Sequence, residues 1–561
     1  MKQQIFLFLM IGVFCVMNAQ DTDWVKSIGG SFGDNPYHIK KDNEGNFIIS
    51  GRFSGSVDFD PNEAEYWLSS NQSDDYFILK IDSHGNFLWA KSLVHEGTLL
   101  TYHGLDVDHD GYIYIAGVFS GTLDCDPGAD TFEIVSGVSA DMFVTKLDSD
   151  GNFIWAKSIG GDSQLNEGNV EVDLFGNVFI CGEFGGVIDF DPNDGVFEAT
   201  STPFGDAFVL KLDSMGNFNW AYHFGDDIVG LIIAEAMVTD PSGNVFVTGR
   251  YTGDPDFDPS DETLIFPDSY GDDIFYVKLS PDGDLLWAKR LGSPSSDRSL
   301  KILIDDQNNI YSHGKAPGNG DLVDFDPGED TYYLNSADGE YFILKLDENG
   351  NFIWARNSPA VVADFDLNDN EEIYMTGWFE DTVDMNTADS TNPQILTSNG
   401  SNDGFIQKLD ANGNSLWANT IGGDSYDLSL SIAFTNSNNA LATGVYLETS
   451  DFNTNNSFLH TSNGERDIFL LKLVDNTLSS EDFEESSTLI YPNPSHGSIN
   501  INLRDLPNAS IKVYSLLGQV VYQKENNRNY VTQIDLNLNK GYYFVEIISS
   551  KKREYHKLVV L

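Results

Sequence analysis

Five short stretches of this chain place two carboxylates two residues apart, just ahead of a proline. They are Asp58/Asp60, Asp124/Asp126, Asp189/Asp191, Asp256/Asp258 and Asp324/Asp326, in phrases such as Val57-Asp58-Phe59-Asp60-Pro61. In extended chain, side chains at i and i+2 share a face, with the intervening Phe or Cys turned the other way. Such pairs, together with backbone carbonyls, supply the oxygen donors that Ca²⁺ favours. The same residues also cap turns by bonding to nearby backbone N–H groups, so a calcium site and a turn cap both fit the pattern. Two further copies carry Asn386 and Asn453 at the second position, which suits either reading.

Other chemistry is sparse. There is no G-x-S-x-G elbow, no H-E-x-x-H and no phosphate-binding loop, so no catalytic residue is assigned. The ten histidines recur in no common register. Asp106-Val-Asp108-His-Asp110-Gly111 looks like half of an EF-hand loop, but no Glu follows at the twelfth position, and it reads as a turn. One position varies where its neighbours do not: Arg52, Val118, Glu183, Arg250, Lys315, Trp378 and Val445 each follow a Gly and precede an aromatic residue or, once, Ala316. The aromatic is expected in the core and the variable residue at the surface. Arg52, Glu183, Arg250, Lys315 and Trp378, with the acidic loops, then form a candidate recognition surface.

The elements that position these residues repeat. Trp24, Trp89, Trp155, Trp220, Trp287, Trp354 and Trp417 recur at spacings of 63 to 67 residues. Around them returns the phrase FILKIDSHGNFLWAKS (77–92), whose apolar residues alternate on both sides of an Asp-x-x-Gly-Asn turn: a β-hairpin. A second hairpin precedes it, as in HIKKDNEGNFIISGRF (38–53). Each unit thus supplies four strands, A and B in one hairpin and C and D in the Trp hairpin. The acidic loops fall between B and C, and the Trp residues are structural, packing between units. Four antiparallel strands repeated radially predict an all-β fold, a seven-bladed β-propeller over 20–473. The Trp24 strand lacks its C partner and DIFLLKL (467–473) lacks its D partner, so the N-terminal strand is expected to close the last blade.

The pairing of G-x-F-x-G-x-V-D-F-D-P with F-x-x-K-L-D-x-x-G-N-F-x-W-A resembles the bacterial SBBP-type β-propeller repeat. The resemblance implies the propeller but no single activity.

The ends carry addresses. Lys2, an apolar run Ile5–Val16 and Ala19 ahead of Gln20 read as a signal peptide (1–19) cut between Ala19 and Gln20, the run being too short to span a membrane. An acidic, Ser-rich linker (474–488) leads to residues 489–561, which read as a small β-sandwich. Tyr491, Pro492, Asn493, Pro494 and Gly497, then Gly518, Gly541, Tyr543 and Lys557-Leu558-Val559 resemble the type A sorting domain of the type IX secretion system. That resemblance implies the secretion machinery as partner and a product released or anchored on the outer surface of a Gram-negative bacterium, by way of the periplasm.

Charge sharpens the division. The chain has 31 Lys+Arg against 87 Asp+Glu; residues 489–561 hold 9 and 5, leaving 22 against 82 before them. A body this acidic repels phosphate backbones, which argues against nucleic-acid partners. Of Cys15, Cys125 and Cys181 the last two remain after export, as free buried thiols or one bridge. The expected function is a non-catalytic propeller that binds an extracellular polysaccharide or protein. The alternatives are a glycan hydrolase or lyase and a calcium-dependent adhesive module.

Overall fold

The repeated turns hold themselves. In the computed structural model, Asp82 Oδ1 accepts the N–H groups of His84 (2.8 Å) and Asn86 (2.9 Å), and the Asn86 amide donates to Oδ2 at 2.8 Å. Gly85 closes the turn at φ +76°, where a side chain would be strained. Burial opposes the Asp82 charge, but the bonds from Asn86 and His84 outweigh it and hold the carboxyl below its usual range. The same set recurs at Asp42, Asp148, Asp173, Asp213, Asp240, Asp347 and Asp410.

The structure describes residues 20–475 except 71–73, 162–163, 226–229, 259–262, 267–270, 318–321, 336–338, 389–390, 436–438 and 453–457. It also describes 489–560 except 492, 494, 496, 503–508, 516–518, 526–530, 537 and 549–552. Ala19, Asn453, Pro492, Pro494 and Gly518 therefore lie outside the described residues. The chain divides into two compact units, Met1–Asn476 and Thr477–Leu561.

Among the described residues every regular element is a strand. In the third repeat Gln164–Val172, Val178–Gly185, Asp206–Leu212 and Phe218–Phe224 pair antiparallel in the order A-B-C-D. The fourth and fifth repeats form equivalent sheets, and the sixth is lengthened by a short hairpin of the repeat that follows. The first two repeats share one continuous strand, Phe87–Val107, which serves as D of one and A of the other. In the last set, Gln20–Ile28 pairs with Asp467–Asp475, which continues through Asn439–Tyr446 to Leu428–Phe434. The N-terminal strand thus completes the final sheet, as its lone Trp24 implies.

The central strands are buried along their whole length, as in Asp75–Ile81 and Asp206–Leu212, so each sheet offers both faces to its neighbours. One core cluster joins Tyr114, Met142 and Val144 of the second repeat to Val178, Ile180 and Phe208 of the third. Another joins Phe47, Phe77 and Leu79 of the first repeat to Ala433, Leu441, Ile468 and Leu470 of the last.

A second device ties each repeat to the next. Lys146 on strand C and Trp155 on strand D are cross-strand partners, and both donate to the Ser214 carbonyl in the following repeat (3.5 and 3.2 Å). Lys211 and Trp220 do the same to Pro281, at 2.8 and 3.0 Å. The indoles cover the turn glycines: a Cβ on Gly151 would lie 3.1 Å from Trp89, and one on Gly413 only 2.8 Å from Trp354. Between the last repeat and the first, Lys472 donates to Ser83 at 2.8 Å and Trp24 covers Gly85.

In the C-terminal unit, Leu489–Tyr491, Ser498–Asn502 and Val531–Asp535 form one sheet. Val520–Glu525, Ser510–Ser515, Gly541–Ile548 and Arg553–Val560 form another. They bury Ile499, Ile501, Ile511, Val513, Ile534, Val545 and Leu558 in one cluster. Asn493 clamps the final strand, donating to the Lys557 carbonyl (2.6 Å) and accepting the Val559 N–H (2.9 Å). Tyr543 donates to the Asn539 carbonyl at 2.8 Å, and Gly497 takes φ +117°.

Candidate functional site

The acidic loops are built into short hairpins between strands B and C. Asp58 Oδ1 accepts the N–H groups of Asp60 (3.1 Å) and Tyr66 (2.7 Å), tying the two arms together. Asp124, Asp189, Asp256 and Asp324 do likewise, each reaching the residue eight positions on. The second carboxylates of Asp60, Asp126, Asp191 and Asp326 each accept an N–H two residues on. Phe59, Cys125, Phe190, Phe257 and Phe325 between them are buried. In these four repeats both carboxylates thus do the work of turn caps.

Asp258 is the second carboxylate of the remaining repeat, and the residues just after it (259–262) lie outside the described set. It is half-buried, donates its N–H to Asp256 Oδ1 at 2.9 Å, and with Asp256 adds to the negative field at the buried Tyr222 hydroxyl. Among the described residues no group of three or more His, Cys, Asp or Glu side chains is placed to hold a metal ion. The bonds these carboxylates make are those of the turn-cap reading. Asp256 and Asp258, like Asp58/Asp60, Asp124/Asp126, Asp189/Asp191 and Asp324/Asp326, sit two residues apart in one hairpin. The first Asp of each pair is taken up by backbone N–H groups, and among the described residues no third carboxylate joins a pair to make a metal-holding group.

These hairpins also reach the preceding repeat. Ile188 and Asp189 pair with Gly161 and Gly160, and Ser450 and Asp451 with Gly423 and Gly422. The approach is close: a Cβ on Gly161 would sit 2.7 Å from the Val187 carbonyl, and one on Gly30 would sit 2.7 Å from that of Ser56. The arm opposite the Asp stacks an aromatic on the Phe that follows each Gly-Asn turn. The pairs are Tyr66–Phe87 (5.0 Å), Phe132–Phe153 (4.8 Å), Phe197–Phe218 (5.0 Å) and Tyr332–Phe352 (4.6 Å). In the sixth repeat both positions turn polar together, and Ser415 donates to Gln394 at 2.7 Å.

The next residue along points outward. Opposite the first Asp stand Trp67, Ile265, Tyr333, Ile395 and Leu459, which are 53% to 61% exposed. Glu133 and Glu198 occupy the same register. Sequence reading passed over this row, although alternation with the less exposed residue that follows it, such as Leu68, Leu334 or Leu396, was a usable signal.

The variable position after strand B is more mixed than expected. Its following residues Phe53, Phe119, Phe184, Tyr251, Ala316, Phe379 and Tyr446 are buried, as anticipated. Val118 and Val445, however, are buried as well, so the expectation of a uniformly exposed position is corrected: in these two repeats neighbouring sheets cover it. The cations are engaged internally. Arg52 meets Asp74 (3.3 Å), Arg250 meets Glu235 (3.5 Å) and Asp272 (3.9 Å), and Lys315 meets Glu340 (3.1 Å). Glu183 lies against Gly205, and Trp378 is half-buried.

A charged cluster on the A strands escaped the sequence reading because its residue type changes from repeat to repeat. Asp106 accepts the Val172 N–H of the next repeat (2.8 Å) and pairs with Lys40 (3.1 Å). Asp364 accepts the Ile432 N–H (3.0 Å), receives Ser431 Oγ (2.6 Å) and pairs with Lys301; Asp366 accepts the Phe434 N–H (2.7 Å). Ser431 in turn accepts the Ile39 N–H at 3.2 Å. An unpaired strand edge leaves N–H groups in need of acceptors, and side chains of the adjacent repeat supply them. Burial, then Asp106, push the Glu171 carboxyl up to about 8 against the pull of Lys40. Burial opposes the Lys40 charge, but Asp106 and Glu171 outweigh it and raise its pKa.

The seven strand-C lysines form the other group that was missed. Lys80, Lys146, Lys211, Lys278, Lys345, Lys408 and Lys472 are all buried, which lysine almost never is without a partner. Besides the carbonyls already described, Lys80 meets Asp42 (2.9 Å), Lys408 meets Glu372 (2.7 Å) and Lys345 meets Glu371 (2.9 Å). Lys278 lies over the Phe246 ring and Lys345 over the Tyr311 ring. Cys125 and Cys181 are free and buried, and burial pushes the Cys125 thiol up to about 12.

Comparison with known proteins places the C-terminal unit first. Residues 489–561 match the model of the secretion system C-terminal sorting domain. Over 453 residues the chain is 21% identical to an uncharacterized WD repeat-containing protein of Acanthamoeba polyphaga mimivirus, covering 69% of this chain and 32% of that one. Over 110 residues it is 28% identical to the ulvan lyase NLR42 of Nonlabens ulvanivorans, covering 19% and 20%. It therefore spans about a third and a fifth of the length of these two relatives. Among solved structures, a protein of unknown function from Dyadobacter fermentans aligns over 82% of this chain and 99% of its own (9% identity, TM-score 0.37). The Hadza microbial sialidase Hz136 aligns over 81% and 94% (9%, TM-score 0.33). Among the described residues no helix is long and apolar enough to cross a membrane. The sorting domain at 489–561 marks the chain as cargo of type IX secretion, exported to the cell surface or released.

Proposed function

We propose that residues 20–473 form a closed seven-bladed propeller of the SBBP type, carried outside the cell as a non-catalytic binding module for a polysaccharide. Closure is supported by three contacts between the last and first repeats that copy those between neighbours elsewhere. Lys472 reaches Ser83 as Lys211 reaches Pro281; Lys26 reaches Asn62 (2.9 Å) as Lys157 reaches Asn193 (2.7 Å); Ser431 takes the Ile39 N–H.

The observation that carries the binding reading is the register-repeated row Trp67, Ile265, Tyr333, Ile395 and Leu459. Scattered exposed apolar residues need no explanation, but one position left apolar and open in five repeats of a strongly acidic chain does. Aromatic faces such as Trp67 and Tyr333 stack on sugar rings, and the surrounding charge favours neutral over anionic polymers. The test is a glycan array probed with the exported chain and with a Trp67→Ala/Tyr333→Ala variant. Neutral glycan binding that the variant loses, at unchanged melting temperature, supports the reading; retained binding removes this surface, and protein-only binding changes the ligand class.

One observation favours an enzyme instead. Burial raises the Glu171 carboxyl to about 8, and Asp106 lies close enough to add to that rise; two neighbouring carboxyls, one of them raised, are what acid–base catalysis on glycans needs. Release of reducing ends or unsaturated sugars by the wild type, lost in Glu171→Gln, would establish that alternative. A calcium-dependent adhesive role predicts a melting temperature that falls on chelation.

A further inference from the structure

Three junctions between repeats bury two aspartates side by side. At the junction of the last and first repeats, Asp34 Oδ2 accepts the Gly30 N–H (2.8 Å), Oδ1 accepts the Ser54 N–H (3.2 Å), and the Asp34 N–H donates to the Arg466 carbonyl (2.9 Å). That carbonyl directly precedes Asp467, which takes the Asn463 N–H at 3.0 Å. Asp427 and Asp403 repeat the arrangement: Asp427 accepts the Gly423 N–H (2.7 Å) and Ser450 Oγ (2.6 Å), and its own N–H donates to Asn402 (2.9 Å). Asp297 and Asp273 form the third pair, with Asp297 N donating to Asp272 at 2.7 Å.

The sequence makes room for them. Gly29-Gly30 and Gly422-Gly423 end their D strands, and a Cβ on the first glycine of each pair would collide with the strand-C carboxylate, at 2.2 Å for Asp467 and 2.6 Å for Asp403. The second glycine donates its N–H to the other aspartate. Asp34, Asp467, Asp427 and Asp403 are all buried, and Oδ1 of both Asp403 and Asp467 lacks a hydrogen-bond donor.

Among the described residues no cation is found to lower the pKa of either carboxyl at two of the pairs. Asp34 faces Asp467 and Asp74, and Asp74 already holds Arg52. Tyr446 lies near both Asp467 and Asp427, its hydroxyl bonded to Ser27 (2.5 Å), while Asp424 adds to the negative field at Asp403. The third pair differs: Arg290 stands 3.9 Å from Asp273, and Tyr251 donates to the same carboxylate (3.3 Å). An uncompensated buried carboxylate takes up a proton instead of remaining charged.

We propose that the Asp34/Asp467 and Asp427/Asp403 pairs are proton-dependent clasps. Each pair closes with a proton retained on one carboxyl, and each loosens when that proton is lost to solvent. The junction between the last and first repeats is then tightest in mildly acidic surroundings. Burial pushes Asp34 up to about 7, and Asp467 and Asp427 up to about 6. For carboxyls raised above their ordinary 3.8, the associated stability is full below that value and is lost as the pH climbs through 6 and 7.

The test compares the exported chain with Asp34→Asn/Asp467→Asn, which removes the titration while keeping side-chain size. The wild type should melt about 2–4 °C lower at pH 8.5 than at pH 5.5 on account of these groups, a shift that the variant loses. Hydrogen exchange on the wild type, corrected for intrinsic rates, should show segments 29–54 and 463–467 losing protection at pH 8.5, with 342–357 unchanged. This second readout stands even if the variant does not fold. Equal pH slopes in variant and wild type, or a uniform loss of protection along the chain, would overturn the proposal.

Discussion

At the outer edge of the repeats, the first Asp of each acidic loop binds the same two N–H groups in five repeats, and an aromatic of the opposite arm stacks on the Phe of the turn in four. At the inner edge the equivalent job, capping the next A strand, falls to Asp106, Asp364, Asp366 or Ser431 according to the repeat. The outer device is a local fold of one segment, so the same residues solve it each time. The inner device joins two strands that do not pair with each other, and any side chain that brings an acceptor within reach will serve. Uniformity follows a fixed partner, whether within one repeat or, as for Lys146 and Lys211, the turn carbonyl of the next, and variety marks contacts whose partners differ.

If that distinction is right, the outer device should cost most to break. Phe190→Ala removes a fully buried ring packed against Phe184 (5.4 Å) and Phe208 (5.0 Å) and should destabilise the protein by about 3–5 kcal/mol in urea unfolding. Asp106→Ala at the inner edge strands the Val172 N–H and frees Lys40, whose side chain is 38% exposed; the loss should be about 1–3 kcal/mol. An inner-edge loss as large as the outer one would break the comparison.

What could be read in advance follows the same line. The hairpins were legible because alternation and the Asp-x-x-Gly-Asn turn are local, and the turn bonds of Asp82 to His84 and Asn86 need no distant partner. The completion of the last sheet by Gln20–Ile28 was legible because an unmatched strand at each end leaves one economical solution. The part played by the acidic loops was not, because the glycines they dock on, such as Gly160 and Gly161, belong to the preceding repeat. Lys80 and its equivalents were visible as a repeated letter in F-x-x-K-L-D. Their burial was not, since it depends on Asp42 and on the Ser149 carbonyl 69 residues away.

A finer cut comes from the sixth repeat, where Gln394 and Ser415 replace the aromatic pair. A double-mutant cycle on Tyr66 and Phe87, each to Ala, should give a coupling of about 0.5–1.5 kcal/mol from ring stacking. Converting Gln394 and Ser415 together to Tyr and Phe should be better tolerated than either change alone, because the two positions face each other and a single ring would meet an unmatched polar group. A coupling near zero in both cycles would mean that the hairpin arms are held by their backbone bonds alone.

A further test separates the inner edge from the core behind it by pH. The raised Glu171 carboxyl binds its proton more tightly in the folded chain than in the unfolded one. Its contribution is therefore full below 4.5 and is lost as the pH rises through about 8. His313, buried behind the fifth A strand with its ring edge-on to Phe365 at 5.5 Å, is driven by burial down to about 3. The unfolded chain takes up that proton first, so this group costs stability as the pH falls from 6.5 towards 3. The two groups act on opposite arms of the pH–stability curve. Glu171→Gln should flatten the alkaline arm between pH 6 and 9 and leave the acid arm in place, as read by chemical unfolding at a series of pH values. An acid arm that moves together with the alkaline one would mean that the inner-edge charges and the buried histidine titrate as one network, and that the inner edge is coupled to the core more tightly than its varied side chains imply.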